Sequence, residues 1–188
     1  MIRAFAAIAL PDSVLDALAC AQAELPVSRP TPEDNLHLTL VFLGDVPEVS
    51  LEEVHLAFSA IRAAPFELVL SGMGVFGGRK PRLVYAGVDH SDPLIHLQAK
   101  LDRAARSAGI EVERRRFTPH VTLAYLNAKR DDPLRIERAV AAQAGFRTAP
   151  FRVEGFGLYQ SELGKGGARY RELAYYAFSP SESAVPKA

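Results

Sequence analysis

The chain has 188 residues, of which 48% are hydrophobic and 23% are charged, and its 22 basic residues balance 22 acidic ones. This size and balance predict one globular domain with a substantial core, and they exclude binding to nucleic acid through a strong overall charge. The single cysteine, Cys20, excludes an intramolecular disulfide and a cysteine-cluster metal site.

The composition of each end of the chain favours a different structure. Residues 1–10 contain one Arg and a short apolar run, but Pro11, Asp12 and Ser13 are typical of a helix start rather than of a cleavage site. No apolar run approaches about 18 residues, the length of a membrane span. We therefore expect a buried first strand and a cytoplasmic protein. The tail, residues 179–188, is rich in Ser, Pro and Ala, and we expect it to be disordered beyond a single domain over residues 1–178.

Hydrophobic periodicity predicts alternating strands and helices in the first half. In order, these are a strand over Ile2–Leu10, a helix over Pro11–Leu25, a strand over Leu36–Leu43, and a helix that begins at Ser50. The pair Gly44-Asp45 is predicted to end the second strand. Ser50 and Glu53 have the spacing of a capping box, which satisfies backbone groups at a helix start.

The second half repeats this alternation. The predicted elements are strands over Phe66–Leu70 and Arg82–Val88 joined by a glycine-rich loop over 72–81, a helix over Asp92–Gly109, paired strands over Ile110–Phe117 and His120–Leu126, a helix over Asp132–Ala144, and strands over Phe151–Leu158 and Tyr170–Phe178. Such a mixture predicts an α+β fold, with antiparallel sheets that helices cover on one face.

One four-residue pattern occurs twice in this chain. Residues 37–40 read His-Leu-Thr-Leu and residues 120–123 read His-Val-Thr-Leu. Side chains alternate along a strand, so His37 and Thr39 share one face, and His120 and Thr122 do the same. Two facing units would place two imidazoles and two hydroxyls around one small volume. The alternative is two unrelated strands that each happen to carry His and Thr.

This set of groups suits acid–base chemistry on an anionic phosphodiester. Opening a cyclic phosphodiester needs a base to deprotonate water and an acid to protonate the departing oxygen, and imidazole serves either role near neutrality. Threonine hydroxyls can stabilise charge on the non-bridging oxygens. We assign His37 as acid and His120 as base, and ligation, the reverse reaction, requires these roles to exchange.

Basic residues supply candidate substrate contacts. Arg79 and Arg82 flank the predicted glycine-rich loop, and Arg114 and Arg116 lie on one face of the predicted strand before the second motif. A solvated surface is the alternative for all four. No spacing of ligands predicts a metal site, and surface positions are the simpler interpretation of His55, His90 and His96.

The sequence resembles the two-histidine (2H) phosphoesterases, and within them the RNA 2′,3′-cyclic phosphodiesterase family, also called 2′-5′ RNA ligases. The segments that resemble the family are RAFAAIALPD, NLHLTLVFLGDV, KPRLVYAGV, FTPHVTLAYL and LYQSELGKGGARYREL. The resemblance implies a bilobal fold of two pseudo-symmetric lobes with the active site in the central cleft. It implies metal-free, cofactor-free hydrolysis of RNA 2′,3′-cyclic phosphate ends to 2′-phosphates, with reversible 2′-5′ ligation as a related activity.

The resemblance also implies site residues and partners. His37 and His120 are the implied catalytic residues, and Thr39 and Thr122 the implied phosphate contacts. The implied partner is RNA with a cyclic phosphate end, such as a tRNA fragment, acted on by a monomer without a membrane or an obligate protein partner. This chain has Val41 and Tyr125 where the family often has basic residues, and strict alternation places Tyr125 opposite His120 unless the strand bulges.

Two alternatives stay open at this point. One is an enzyme that acts on small cyclic nucleotides or on ADP-ribose cyclic phosphate. The other is a non-catalytic module that binds RNA ends, although binding alone does not require two imidazoles that titrate.

Overall fold

The two strands that carry the repeated motif lie side by side at the centre of one sheet. A computed structural model describes residues 1–78, 80–114, 116–164 and 167–179. Its strands are β1 (Ile2–Ala9), β2 (His37–Val46), β3 (Phe66–Leu68), β4 (Leu70–Phe76), β5 (Leu83–Val88), β6 (His120–Tyr125), β7 (Phe151–Val153), β8 (Gly155–Gly164) and β9 (Gly167–Ala177). Its helices are α1 (Asp12–Ala23), α2 (Glu48–Ser59), α3 (Asp92–Ser107), α4 (Pro133–Ala142) and a short 3-10 helix, Glu33–Asn35.

The strands form one large and one small antiparallel sheet. The large sheet has the order β4-β5-β6-β2-β1-β8-β9, and β3 pairs with β7 in the small sheet. The predicted α+β class with antiparallel sheets is therefore confirmed. None of the helices in the described part of the chain has the length and apolar character needed to span a bilayer.

The junction between β2 and β6 divides the large sheet into two halves. In the described residues these strands share one registered pair, Leu38 with Val121. Because the strands are antiparallel, this pair places His37 level with Thr122, and Thr39 level with His120. The two predicted lobes thus correspond to the two halves of a continuous sheet, with a local twofold relation at Leu38 and Val121.

The apolar residues of each motif anchor its strand in the core. Leu38, Leu40, Val121 and Leu123 are almost fully buried, and they belong to the same cluster as the inner face of α3. The buried residues of α3 are Leu94, Leu97, Leu101 and Ala105. The apolar face of each motif is therefore held in the core, while the His and Thr side chains are on the other face of the sheet.

The predicted strand over Ile110–Phe117 is wrong. Its described residues have no regular secondary structure. Both edges of β6 already pair, one with β5 and the other with β2, so no edge remains for a partner from residues 110–117. Arg114 and Arg116 consequently do not share a strand face.

The predicted glycine-rich loop over 72–81 is also wrong in its first half, because β4 continues to Phe76. The close packing of Tyr85 against β4 depends on Gly74. A Cβ atom at position 74 would lie 2.4 Å from the Tyr85 hydroxyl oxygen of the neighbouring strand. The glycine therefore leaves space for the Tyr85 ring to lie across β4.

Two predicted boundaries around α2 differ from the structure. Gly44 and Asp45 do not end the second strand, because β2 continues to Val46. α2 begins at Glu48 after Pro47, without a side-chain cap, so Ser50 lies inside the first turn and the predicted capping box is absent there. The predicted disordered tail, residues 179–188, lies outside the described residues apart from Ser179.

The junction pair yields a stability prediction. Leu38 has no exposed surface, so Leu38→Ala should lower the free energy of unfolding by about 2–5 kcal/mol. Leu56 in α2 is 67% exposed, and Leu56→Ala is the matched control, with an expected change of at most about 0.5 kcal/mol. Urea unfolding followed by circular dichroism measures both. Equal effects of the two variants would contradict a tightly packed junction.

Candidate active site

His37 is the first residue of β2, and both of its ring nitrogens have hydrogen-bond partners. Nδ1 lies 2.8 Å from the Asn35 carbonyl oxygen, and Nε2 lies 2.9 Å from Thr39 Oγ1. A carbonyl oxygen only accepts, so Nδ1 carries the hydrogen. In the neutral ring, Nε2 therefore accepts a hydrogen bond from the Thr39 hydroxyl, and it is the nitrogen available for proton transfer.

His120 repeats the first part of this arrangement at the start of β6. Its Nδ1 lies 2.8 Å from the carbonyl oxygen of Thr118, again two residues earlier in the chain. The same reasoning places the hydrogen on Nδ1, so Nε2 is the basic nitrogen of the neutral ring. The two motifs thus hold their imidazoles in the same tautomer by the same local contact.

Aromatic rings support both imidazoles. The His37 ring lies 4.8 Å from the Phe5 ring and 5.1 Å from the Tyr170 ring, measured between centroids. His120 has equivalent neighbours in Phe76 at 5.0 Å and Tyr85 at 5.6 Å. In each case one ring comes from the strand beside the motif strand and one from a strand further out. The motif alone did not predict these aromatic residues. A sequence signal for the position of the Tyr85 ring is Gly74, which has no side chain and pairs with Tyr85.

The environment lowers the pKa of His37. Burial is the largest cause, because it disfavours the charged ring, and the hydrogen bond to the Asn35 carbonyl partly opposes it. The positive charge of His120 lowers the pKa of His37 further. We therefore expect the two imidazoles to interact electrostatically across the junction of β2 and β6.

A bulge ends each motif. Ala6 and Ala7 in β1 pair with Val41 and Thr39, so Leu40 has no partner of its own in β1. In the same way, Val84 and Tyr85 pair with Ala124 and Thr122, and Leu123 is the extra residue. An extra residue resets the alternation of side chains along a strand.

The two bulges determine where Phe42 and Tyr125 lie. At each bulge the extra residue and the residue after it are both buried, and the next side chain returns to the face of the motif His. Phe42 is 42% exposed and Tyr125 is 49% exposed, and both line the cleft described next. The bulge at Leu123 therefore places Tyr125 on the same face of the sheet as His120.

A cleft of about 270 Å³ lies over the junction on this face. Three of the four motif side chains line it, namely His37, Thr39 and Thr122. The other lining residues were not predicted as site residues: Arg3, Phe5, Thr31, Asn35, Phe42, Tyr125, Ser161, Leu163, Ala168 and Tyr170. The Thr31 hydroxyl is buried and has no hydrogen-bond partner in the described part of the chain.

Asn35 connects two walls of the cleft. Its carbonyl oxygen accepts from His37 Nδ1, and its side-chain amide donates to the Ala168 carbonyl oxygen of β9 at 2.7 Å. No local motif marked Asn35, because its contact with Ala168 spans 133 residues of sequence.

Of the predicted basic residues, the three that the structure describes do not line this cleft. Arg82 is exposed just before β5, and Arg116 is exposed in the irregular segment before β6. Arg114 lines a separate, more open groove of about 640 Å³ along α3, with Asp102 and Arg106. Arg79 lies outside the described residues. Substrate contacts by these four arginines therefore stay predictions.

Two of the other histidines have hydrogen-bond partners. His90 Nε2 lies 3.0 Å from Asp92, and His55 Nδ1 lies 2.8 Å from the Tyr176 hydroxyl. Among the residues that the structure describes, no three His, Cys, Asp or Glu side chains are grouped as metal ligands would be.

Comparison with known proteins identifies the family. A family model described as the 2′-5′ RNA ligase superfamily matches residues 11–165. The chain belongs to the 2′-5′ RNA ligase superfamily. The predicted membership is thereby confirmed, and the two motif strands described above lie within the matched segment.

Relatives and solved structures agree with this membership. An Escherichia coli protein named RNA 2′,3′-cyclic phosphodiesterase is 32% identical over 181 residues, which cover 94% of this chain and 97% of that protein. A Geobacillus stearothermophilus protein of the same name is 39% identical over 107 residues, and this match spans 55% of the chain but only 34% of that longer relative. The crystal structure of E. coli LigT complexed with 3′-AMP is 31% identical, with a TM-score of 0.79, and the match covers 95% of this chain and 98% of that one.

The electrostatic contact between the imidazoles yields a titration prediction. In the free protein His37 should titrate below its ordinary pKa of 6.5, because burial and the charge of His120 both disfavour protonation. Replacing His120 with Asn removes a positive charge and should raise the pKa of His37. Proton NMR of the His37 resonances measures its pKa in the wild type and in His120→Asn. A pKa of His37 that does not change in His120→Asn would contradict coupling between the rings.

Proposed function

We propose that this chain hydrolyses RNA 2′,3′-cyclic phosphate ends to 2′-phosphates by acid–base catalysis with His37 and His120. The observation that carries the proposal is the matched pair of imidazoles on adjoining strands, each held in one tautomer by a carbonyl two residues earlier. Names of relatives support it, since the E. coli relative is called an RNA 2′,3′-cyclic phosphodiesterase. A nucleoside monophosphate in the LigT structure supports a nucleotide as the ligand class.

In the proposed reaction, His120 Nε2 takes a proton from water as the water oxygen forms a bond to phosphorus. The bond between phosphorus and the ribose 3′ oxygen breaks, and His37 Nε2 gives its proton to that oxygen. The product keeps the phosphate on the 2′ oxygen. In 2′-5′ ligation, which we propose as the accompanying activity, a 5′ hydroxyl would attack phosphorus in place of water and the 3′ oxygen would leave, so His120 and His37 would keep these roles instead of the exchanged roles expected from the sequence.

The low pKa of His37 sets a requirement for this assignment. In the free protein near pH 7, a lowered pKa favours the neutral ring, whereas an acid must be protonated. The negative charge of a bound phosphate would raise the pKa and supply the protonated form. His37 as acid therefore requires its pKa to rise when a phosphate ligand binds.

Thr39 would respond to that protonation. Its hydroxyl donates to the neutral His37 Nε2 in the free protein. Once Nε2 carries a proton it no longer accepts, so the Thr39 hydrogen is free to turn towards a phosphate oxygen. Thr39 and Thr122 would then stabilise the charge that builds up on the non-bridging oxygens.

The alternatives fit the site less well. A non-catalytic module that binds RNA ends would not need two imidazoles held in the same tautomer. An enzyme for small cyclic nucleotides or ADP-ribose cyclic phosphate would use the same reacting groups, and the cleft of about 270 Å³ suits one nucleotide. We favour RNA ends because of the names of the relatives. Action on tRNA fragments, a monomeric state, the absence of an obligate protein partner and a cytoplasmic location stay proposals from the sequence.

The function is tested by product analysis. The protein is incubated with an oligoribonucleotide that ends in a 2′,3′-cyclic phosphate, with and without EDTA. We expect conversion to the 2′-phosphate at the same rate in both samples, because the proposed chemistry uses only imidazoles and hydroxyls. A 3′-phosphate product would contradict the proposed leaving group, and loss of activity in EDTA with recovery on adding a divalent ion would contradict the metal-free mechanism.

Histidine variants test the roles of the two motifs. His37→Ala and His120→Ala should each lower turnover by at least about 100-fold, the lower end for general acid–base catalysis. The double variant should lose much less than the product of the two factors, since the residues act as one unit. His90→Ala, at an exposed histidine that pairs with Asp92, is the matched control and should keep full activity. Normal turnover in a folded His37 or His120 variant would remove that residue from the mechanism.

A further inference from the structure

Arg3 is the basic residue that the sequence did not assign to the site. Among the residues that the structure describes, it is the only Lys or Arg that lines the cleft with His37, Thr39 and Thr122. It lies in β1 on the same face as Phe5, whose ring contacts the His37 ring. Since the chain has no net charge, attraction for an anion has to come from local cations, and Arg3 is one of them.

Two neighbours hold the Arg3 guanidinium in place. Its central carbon lies 4.8 Å from the centre of the Phe42 ring, and Nη1 lies 3.1 Å from an Asp45 carboxylate oxygen. A guanidinium has five N–H donors, and Asp45 engages the Nη1 end, so donors remain on the other nitrogens. The Arg3 side chain is 45% exposed, which leaves those donors accessible from the cleft.

The position of Arg3 along β1 determines which phosphate it can reach. Ala7 of β1 is level with Thr39, and Arg3 precedes Ala7 by four residues, or about 13 Å along the strand. The contacts with Phe42 and Asp45 hold the guanidinium beside the part of β2 that follows the motif, and this position lies to one side of His37 and Thr39. It suits a neighbouring phosphate group on the same nucleic acid chain.

We propose that Arg3 binds the phosphodiester on the 5′ side of the terminal nucleotide and so selects RNA ends over free cyclic mononucleotides. This inference rests on the proposed function and adds its substrate class. A nucleoside 2′,3′-cyclic phosphate without a 5′ phosphate has no group for Arg3, whereas any longer RNA end has one. The planar fork of arginine matches two phosphate oxygens, and stacking on Phe42 orients that fork before the substrate arrives.

The test compares two substrates that share the same reacting end. One is a trinucleotide that ends in a 2′,3′-cyclic phosphate, and the other is the corresponding nucleoside 2′,3′-cyclic phosphate. Arg3→Gln should lower kcat/KM for the trinucleotide by about tenfold, as for a lost hydrogen bond between charged groups, and leave the mononucleoside substrate unchanged. Arg152→Gln is the matched control. Arg152 is an exposed arginine on β7 of the small sheet, and it pairs with the carboxylate of Glu154.

Salt dependence gives a second readout that a purely structural role would not change. For the trinucleotide, the slope of log kcat/KM against log salt concentration should become shallower by about 0.7 in Arg3→Gln, the value for one phosphate contact on a single strand. The slope in Arg152→Gln should equal that of the wild type. An unchanged slope in Arg3→Gln would overturn the proposed contact.

A substrate variant tests the contact without any change to the protein. A trinucleotide with a neutral methylphosphonate in place of the last phosphodiester should lose the same factor with wild-type protein, and Arg3→Gln should lose nothing further on it. Full activity on the methylphosphonate, or an equal loss on both natural substrates in Arg3→Gln, would overturn this inference alone. Failure of the wild type to cleave either natural substrate would instead overturn the proposed function.

Discussion

The antiparallel pairing of β2 with β6 is the constraint on which the site depends. One registered pair, Leu38 with Val121, sets the relation of the two motifs, and each motif then contributes its His and Thr from the opposite direction. A shift of one residue in this register would move the side chains of one motif to the other face of the sheet. The buried leucines and valine on the core face oppose such a shift, because it would expose them to water. The apolar residues between and after the polar ones therefore position the imidazoles as much as any direct contact does.

Local backbone contacts complete what the register begins. A strand can present an imidazole on a chosen face, but it does not determine which ring nitrogen carries the hydrogen. The carbonyl groups of Asn35 and Thr118 determine this, and both belong to residues just before the strand, where the backbone is not engaged in the ladder. Aromatic rings from four other strands then limit rotation of the imidazoles. Each half of the sheet thus builds the same proton-transfer group from parts that are distant in sequence.

The sequence predicted the fold class and the shared face of His and Thr in each motif, and it was less successful with the surroundings of the site. Strand alternation and two copies of His-x-Thr-x are local signals, which is why His37 and His120 could be placed on one face without a structure. Tyr125 depends on a bulge at Leu123, and the residue that forms a bulge is set by pairing with β5. Arg3 and Asn35 act through contacts with residues more than 40 and 130 positions away, so no pattern along the chain revealed them. Arg82 beside the glycine-rich segment, and Arg114 and Arg116 in a basic run, were conspicuous in the sequence, but their positions along the chain did not place them in the cleft.

The two hydrogen bonds of Asn35 couple the width of the cleft to the orientation of the His37 imidazole. The side-chain amide is bonded to β9, which forms one wall, and the carbonyl of the same residue orients His37. A displacement of that wall would be transmitted through one short 3-10 turn to the ring that exchanges protons. An opening that loosens this wall would therefore also loosen the imidazole, and closure around a ligand would restore both together.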